Sequence, residues 1–330
     1  MDFMRFAWIA GEVNKGDRFR YELFKPWRKY DAVVFLKSME MGCGALADRL
    51  RGVGVKVIFE ANVDYYTTSG NDALSPELVP SLRQREAAIR MTESADRVIT
   101  SSRRLMEICR EFNAHTAFVP DNIPQAFIYS ARESHPVQGG RLQLWWSGMA
   151  SKVVDLLEIE GVLRSLSGKV HLNLVTGDLA KALGHLKPLQ REQMGKLLLA
   201  VPHTVHSFRD IPDLLKNYRR GGVVISPRNL SNPYNQSHTE WKITLGMAAG
   251  LPAVASPQPS YVDVSARATH QDAVRICAND ADWCEAFECA MDESNYAKKS
   301  AAAIEVVRNF YSTSIVARMH VNEVQKALSL

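Results

Sequence analysis

Four cationic side chains follow or flank short apolar runs in the second half of the sequence. Lys152 comes soon after the run "LQLWWSG", which ends at Gly148, and Arg228 directly follows the run "VVISP". His238 and Lys242 are one helical turn apart, so on a helix they would share one face. Fixed cations beside backbone N–H groups are the chemistry that holds phosphate. The pattern is compatible with an anion site, and an ordinary α/β crossover with solvated basic side chains is the alternative.

Residues 237–257 read "SHTEWKITLGMAAGLPAVASP" and indicate how two of these side chains are held. Ser237 or Thr239 can cap a helix by accepting a hydrogen bond from a backbone N–H. Gly246 would let that helix pack closely on a sheet, and Gly250 suits the left-handed residue that follows a helix. The next residues, "AVAS", predict a short buried strand. We therefore expect a helix that begins beside Ser237 and points its N–H groups at a bound anion.

A second basic segment, "NKGDRFRY", lies near the start of the chain. Its Gly16 would allow the backbone to approach a phosphate closely, and Arg18 and Arg20 would add positive charge. A single glycine loop is not specific by itself, because glycine is common in surface turns.

Two acidic residues follow apolar runs in the first half of the chain. Glu40 lies in "KSMEMG" and Asp64 lies in "ANVDYY". A carboxylate at the end of a strand can bind acceptor hydroxyl groups or act as a general base. The alternative for both residues is that they cap the loops in which they lie.

Apolar runs alternate with helical patterns along the whole chain, which predicts an α/β fold with parallel sheets. The first run, "MRFAWIAG", is predicted as a strand, and the following "NKGDRFRYELFKPWRKY" as a turn and a helix. Residues 125–140 lack periodicity and predict a linker. We expect two Rossmann-like, doubly wound domains, residues 1–124 and 141–312, facing a central cleft, and a closing helix over residues 313–330 that crosses back to the first domain.

The composition is that of a globular protein with a mild excess of positive charge. The chain has 330 residues, a net charge of +4 and a pI near 8.7. This excess suits an anionic ligand or a membrane surface and argues against nucleic acid as a partner. Five cysteines without a C-x-x-C pair predict reduced thiols, and there is no run of about 18 apolar residues. We expect a cytoplasmic protein without a leader, and peripheral association with the inner face of the membrane stays open.

Two long segments carry a family resemblance. Residues 95–124, "ADRVITSSRRLMEICREFNAHTAFVPDNIP", and residues 224–256, "VISPRNLSNPYNQSHTEWKITLGMAAGLPAVAS", resemble segments of GT-B glycosyltransferases of the family 4 type. The resemblance implies that a nucleotide-sugar donor binds mainly to the second domain and a glycan, glycolipid or small-molecule acceptor mainly to the first. It also implies retaining transfer without an obligatory metal or other cofactor, and the histidines of this chain show no metal-ligand spacing.

The resemblance also implies roles for individual residues. The loops "VTGD" and "VHSF", which contain Gly177 and Phe208, would flank the nucleotide base, although core packing is the alternative for Phe208. The residues with an implied catalytic role are His238, Lys242, Glu40 and Asp64. The residues with an implied role in donor binding are Gly16, Arg18, Gly148, Lys152, Gly177, Phe208, Arg228, Asn235, Ser237, Thr239 and Glu240.

One feature departs from the family pattern. Relatives carry two glutamates in the donor-site segment, and the corresponding residues here are His238 and Leu245. Leucine cannot accept a hydrogen bond from a ribose hydroxyl. Either Glu240 supplies a carboxylate in a shifted register, or ribose recognition differs, or catalysis is lost. A catalytically silent homologue that binds a nucleotide-sugar or a partner protein is therefore an alternative, and a GT-B sugar-nucleotide epimerase, which needs paired acid and base groups, is another.

Overall fold

The structure is a computed structural model that describes residues 2–40, 42–68, 80–131, 136–184 and 186–330. Within these residues the chain forms two lobes, each built on a mainly parallel sheet with helices around it. This confirms the α/β architecture that the alternation of strands and helices predicts. Residues 132–135 of the predicted linker lie outside the described residues.

The first lobe contains a four-stranded parallel sheet. Its elements are α1 (Asp2–Val13), β1 (Ala32–Leu36), α2 (Cys43–Gly52), β2 (Lys56–Ala61), α3 (Leu82–Ser94), β3 (Arg97–Thr100), α4 (Arg103–Arg110) and β4 (Thr116–Phe118). The strands lie in the order β1-β2-β3-β4. Helices α2, α3 and α4 cover one face, where Ala47, Met91 and Leu105 are buried. Helix α1 covers the other face, where Ile9 packs in one cluster with Ile58.

The first element differs from its prediction, because residues 2–13 form a helix and not a strand. Arg5, Ile9 and Val13 recur every fourth residue, and all three lie on the side that meets the sheet. A short apolar run does not distinguish a buried strand from the buried face of a helix. The helix predicted after it is also wrong, since residues 14–31 form turns and irregular structure around Pro26, a residue that interrupts helical hydrogen bonding.

The second lobe contains a seven-stranded sheet. Its elements are β5 (Val137–Gln138), β6 (Arg141–Ser147), a 3₁₀ helix (Ala150–Ile159), α5 (Glu160–Ser165), β7 (Val170–Val175), α6 (Leu179–Gly184), α7 (Pro188–Ala200), β8 (His203–His206), α8 (Ile211–Tyr218), β9 (Val223–Ser226), α9 (Pro233–Gln236), α10 (Trp241–Ala248), β10 (Ala253–Ala255), α11 (Pro259–Ser265), β11 (Val274–Ile276), α12 (Asp280–Met291) and α13 (Tyr296–Val306). The last helix, α14 (Thr313–Leu328), follows these elements and returns to the first lobe. Six strands run parallel in the order β11-β10-β9-β6-β7-β8, and β5 pairs antiparallel with β6. Trp145 and Trp146 on β6 are buried in the cores on opposite faces of this sheet.

Helix α10 packs against β9 at the glycine that the sequence singles out. A Cβ atom at Gly246 would lie 2.7 Å from the Cβ of Val224, a separation that real Cβ contacts do not reach. Only glycine therefore allows helix and strand to approach this closely. Gly250 follows the helix with a φ of 87°, the left-handed conformation expected there.

The chain passes between the lobes twice, and the two crossings lie side by side. Ile123 and Ser312 pair as a parallel bridge, in which the N–H of Ile123 donates to the carbonyl of Tyr311 at 2.8 Å and the N–H of Thr313 donates to the carbonyl of Ile123 at 2.9 Å. After the second crossing, α14 packs against α1 and the first sheet. The last helix of the chain thus belongs to the core of the first lobe.

Candidate functional site

Cationic side chains from four segments of the second lobe meet beyond the carboxyl ends of β6 and β9. We call Lys152, Arg228, His238 and Lys242 the cation cluster. Lys152 lies in the 3₁₀ helix after β6, and its Nζ is 2.8 Å from Nε2 of His238. The same ammonium lies 4.7 Å from the ring centroid of Tyr234. All four residues were predicted from the sequence, and the structure brings them together.

Arg228 is the most firmly held member of the cation cluster. It lies two residues after the end of β9 and is 5% exposed, and its Nη1 lies 3.1 Å from Oδ2 of Asp155. Its Nε and Nη2 each lie 3.4 Å from the hydroxyl of Tyr261. These bonds fix the guanidinium and occupy the carboxylate of Asp155, so that carboxylate is already engaged by one cation of the cluster.

Lys242 reaches the cation cluster from the first turn of α10. Its Nζ lies 4.6 Å from the ring centroid of Trp146, is buried, and has no hydrogen-bond partner among the described residues. A Cβ atom at Gly148 would lie 3.2 Å from this Nζ and 3.1 Å from Cη2 of Trp146. The glycine therefore leaves a hollow beside the ammonium that a larger residue would fill. Leaving a buried ammonium without a partner is costly, so this arrangement favours an anionic ligand there.

The electrostatics of the cation cluster agree with its geometry. Burial, together with the charge of Arg228, lowers the pKa of Lys152 to about 7. Burial and the neighbouring cations also hold the pKa values of His238 and Lys242 well below their usual ranges. Burial is the larger cause of each shift, and the cluster also gathers more positive charge than the one carboxylate of Asp155 balances. A ligand with two negative charges would complete the site.

The loops after β7 and β8 form an open side of the second lobe near the same strand ends. Phe208 is 41% exposed, so the alternative of core packing for this ring is wrong. A Cβ atom at Gly177 would meet nothing within 4 Å, which leaves space above the loop. An exposed aromatic ring beside open space can stack on a flat ligand group such as a nucleotide base.

The helix start predicted beside Ser237 is wrong, because α10 begins at Trp241. Glu240 is the residue before the helix, and neither Ser237 nor Thr239 caps it, since no side chain makes the cap hydrogen bond. The short helix α9 intervenes, and Ser237 ends that helix instead. The cations of the cluster therefore come from side chains, and the N-terminus of α10 does not begin where the sequence suggested.

Ser237 and Asp64 join the two lobes beside the cation cluster. The hydroxyl of Ser237 donates to Oδ2 of Asp64 at 3.2 Å, and its carbonyl accepts from the hydroxyl of Ser102 at 2.8 Å. The other oxygen of Asp64 accepts from the N–H groups of Tyr66 and Thr67. Asp64 is 2% exposed and has the loop-capping role that was the alternative for it, so a role as a general base is not supported.

Glu240 and Leu245 do not supply the ribose carboxylate that the family pattern contains. Oε1 of Glu240 accepts from the backbone N–H of Asp121 at 3.0 Å, in the crossing from the first lobe. Burial and the charge of Asp121 raise the pKa of Glu240 to about 8. Leu245 is 1% exposed and lies in the apolar core. Glu240 therefore does not supply the ribose carboxylate in a shifted register, because its carboxyl group accepts a hydrogen bond from the crossing between the lobes.

Three further predicted residues lie outside the cation cluster. Asn235 is buried, and its amide donates to the carbonyl of Asn229 at 2.9 Å, which holds the loop between β9 and α9. Gly16 and Arg18 follow α1 and not a strand, and Nη2 of Arg18 donates to the side-chain oxygen of Gln325 on α14 at 2.9 Å. The predicted phosphate loop thus packs against the last helix, because the first strand on which it depended is a helix.

Glu40 lines a separate cavity of about 770 Å³ in the first lobe, between the end of β1 and helices α2 and α3. Lys37 lines the same cavity, and its charge contributes to lowering the pKa of His238. Lys37 thus lies near His238, from the opposite lobe. Glu40 does not belong to the cation cluster, and its contact with an acceptor stays a prediction.

Sequence reasoning missed the residues that hold the cations. Asp155 lies three residues after Lys152 in the same 3₁₀ helix, a spacing that could have suggested a contact. Tyr234 precedes His238 by four residues, and the two rings meet edge to face at 4.6 Å. Tyr261 is distant in sequence and gave no signal.

The residues that the structure describes contain no group of three or more histidine, cysteine or acidic side chains placed to hold a metal ion. The same residues include no helix with the length and apolar character needed to cross a bilayer.

No protein-family model matches the sequence, and neither does any curated protein. Solved structures do match. HepE of Anabaena, solved with UDP-glucose, superposes with a TM-score of 0.65 at 14% identity, over 90% of this chain and 79% of HepE. A sucrose-phosphate synthase of Thermosynechococcus elongatus gives a TM-score of 0.59 at 14% identity, over 87% and 71%. A glycosyltransferase of Rickettsia africae gives 0.58 at 12% identity, over 96% and 87%. The chain therefore has the GT-B fold of these glycosyltransferase structures.

Proposed function

We propose that the protein transfers a glycosyl group from a nucleoside diphosphate sugar to an acceptor hydroxyl. The observation that carries the proposal is the cation cluster, which gathers Lys152, Arg228 and Lys242 around one engaged carboxylate. A diphosphate supplies the two negative charges that would balance it. Because HepE binds UDP-glucose in the same fold, a uridine donor is the first to test.

The chemistry asks the cation cluster to stabilise a leaving group. The bond between the anomeric carbon and the diphosphate oxygen breaks, and the acceptor oxygen bonds to that carbon. In the retaining course that we propose, the acceptor proton passes to the departing diphosphate on the same face of the sugar. Lys152, Arg228 and Lys242 stabilise the charge that grows on the diphosphate, and the open side at Phe208 accepts the base. Fixed cations of this kind would also repel a divalent metal, so we propose metal-independent transfer.

The acceptor enters from the first lobe in this proposal. The cavity that Lys37 and Glu40 line is large enough for a sugar or another small acceptor, and Lys37 on its wall lies near His238. We propose that Glu40 hydrogen-bonds acceptor hydroxyls there. A glycan, a glycolipid headgroup and a small molecule all fit this description. Five free cysteines agree with a cytoplasmic location, which we propose for the protein.

A silent nucleotide-sugar-binding protein is the second candidate, and one observation favours it. Leu245 is buried core and Glu240 faces the first lobe, so α10 offers no carboxylate to the ribose. The cation cluster would then bind a donor without transferring its sugar. An epimerase has less support, because the one carboxylate in the cluster is paired with Arg228.

Calorimetry and a transfer assay test these candidates together. We expect UDP to bind far more tightly than uridine, because the cation cluster contacts the diphosphate and not the base. With a panel of nucleotide-sugars, release of nucleoside diphosphate and appearance of a glycosylated acceptor support the transferase. Tight UDP binding without turnover on any donor supports the silent homologue. Equal binding of UDP and uridine would contradict both.

A further inference from the structure

The loop of residues 22–30, which we call the aromatic–basic loop, exposes large apolar side chains. Trp27 is 80% exposed and Leu23 is 70% exposed, and Phe24 beside them is 39% exposed. Soluble surfaces rarely present such residues together. The loop follows α1 in the first lobe and takes no part in the cation cluster.

Hydrogen bonds within the loop hold these side chains outward. The carboxylate of Glu22 accepts from Nη1 of Arg28 at 2.9 and 2.8 Å and from the hydroxyl of Tyr30 at 3.0 Å. The N–H of Lys25 donates to the same hydroxyl at 3.0 Å, and the rings of Phe24 and Tyr30 lie 5.6 Å apart. These bonds give the base of the loop a defined conformation, and that conformation leaves the side chains at its tip exposed.

Contacts at Tyr21 attach the loop to the rest of the first lobe. The side chain of Asn14 bonds both the N–H and the carbonyl of Tyr21, at 2.7 and 2.8 Å. The hydroxyl of Tyr21 lies 3.1 Å from Nδ1 of His320 on α14. These hydrogen bonds therefore fix the start of the loop to the first lobe.

The loop lies in a segment with a local excess of positive charge. Residues 18–30 contain five of the 40 basic side chains and one of the 36 acidic side chains. Asp17 and Asp31 lie directly beside this segment. The loop itself has three basic side chains, those of Lys25, Arg28 and Lys29, and one acidic side chain. That acid, Glu22, is already paired with Arg28.

We propose that the aromatic–basic loop docks the protein on an anionic lipid membrane surface. Tryptophan and leucine side chains favour the boundary between headgroups and acyl chains, and nearby lysines and arginines attract anionic headgroups. Trp27 and Leu23 enter that boundary, and Lys25 and Lys29 face the headgroups. The proposal does not depend on glycosyl transfer, since it rests on the loop alone.

Vesicle sedimentation with the full chain tests the proposal. We expect binding to vesicles of phosphatidylcholine with phosphatidylglycerol, and at least tenfold weaker binding to phosphatidylcholine alone or at high salt. The double variant Leu23→Ala, Trp27→Ala should lose at least tenfold of the binding, and Lys25→Gln with Lys29→Gln should lose most of it. Leu199→Ala, at a 91% exposed position on α7, is the matched apolar control and should bind as the parent does.

Fluorescence supplies a second readout that is independent of sedimentation. Vesicles should shift the tryptophan emission to shorter wavelength, and Trp27→Phe should abolish the shift while binding persists. Because Leu23, Trp27 and Lys29 are exposed and Lys25 is only half-buried, the melting temperatures of all variants should match the parent. Equal binding to neutral and anionic vesicles, no binding to either, or unchanged binding by the double variant would each overturn the proposal. Self-association that the double variant abolishes would assign the loop to a second copy of the chain, and would also overturn it.

Discussion

The cation cluster and the aromatic–basic loop use the same residue types in opposite surroundings. In the cluster, Lys152 and Lys242 are enclosed by aromatic rings and other cations, and their pKa values are lowered. In the loop, Lys29 and Trp27 lie in water. A buried cation needs one particular partner to offset its desolvation, whereas exposed cations attract any anionic surface and are screened by salt. Lysine and tryptophan therefore form a selective anion site where they are buried and a nonselective one where they are exposed.

The largest effect concerns the core beside the cation cluster. Leu245→Glu places a carboxylate in the apolar core under α10, where no partner is prepared for it. We expect a loss of about 3–5 kcal/mol in the free energy of unfolding, or failure to fold. Denaturant unfolding measures it, and Leu199→Glu at an exposed position of α7 is the control, with a change near zero. A stable Leu245→Glu protein that binds nucleotide more tightly would instead restore the ribose-carboxylate interpretation of this position.

Removal of the buried ammonium of Lys242 should have the next largest effect, and it should fall on turnover. We expect Lys242→Met to lower kcat by about 100- to 1,000-fold, because a fixed donor is lost where charge develops on the leaving diphosphate. The melting temperature should not fall, since the substitution removes an unpartnered buried charge and keeps the contact with Trp146. Lys196→Met on the exposed face of α7 is the control. A stable, fully active Lys242→Met protein would show that the cluster does not act on the diphosphate.

The sequence predicted the members of the cation cluster better than the way in which they are held. Strand ends at β6 and β9 were recognisable from their apolar runs, so Lys152 and Arg228 were placed correctly at those ends. The helix start beside Ser237 was wrong, because a polar residue before an apolar pattern signals a cap only when no other short helix intervenes. Asp155 and Tyr261 act through contacts that folding alone creates.

The first lobe shows the same limit at the level of whole elements. The run "MRFAWIAG" satisfies the pattern of a strand and of a buried helical face, and only packing against α14 at the far end of the chain decides between them. Because residues 2–13 form a helix, Gly16 and Arg18 do not follow a strand, and Arg18 contacts α14. Long-range contacts of this kind leave no signal in a local window, which is why the error spread from one element to a predicted site.

Lys152 should contribute to binding more than to folding. We expect Lys152→Ala to weaken UDP binding by about 1.5–3 kcal/mol, or about 10- to 150-fold, because a charge-assisted hydrogen bond is lost. Uridine binding should change little. Titration calorimetry with both ligands measures the difference, and Lys216→Ala on the exposed side of α8 is the control. Equal losses for UDP and uridine would place Lys152 at the base and not at the phosphates.

The smallest expected effect is a dependence on pH, and it separates the two basic regions. Burial and Arg228 lower the pKa of Lys152 to about 7, and a bound diphosphate should raise that pKa again. Below pH 7 Lys152 is already protonated, so the affinity for UDP-glucose should be nearly constant there with respect to this group. Above pH 7 binding must take up a proton, and the affinity should fall by up to about tenfold per pH unit until the pKa of the complex is reached.

UDP-glucose suits the measurement because it has no terminal phosphate to titrate. Calorimetry at pH 8 in two buffers of different ionisation enthalpy should detect the proton uptake, and Lys152→Ala should reduce it. Membrane binding through the aromatic–basic loop should instead respond mainly to salt, because its cations face water. If the affinity for UDP-glucose shows no proton uptake and tracks ionic strength alone, the cluster behaves like an exposed surface, and the distinction between the two regions fails.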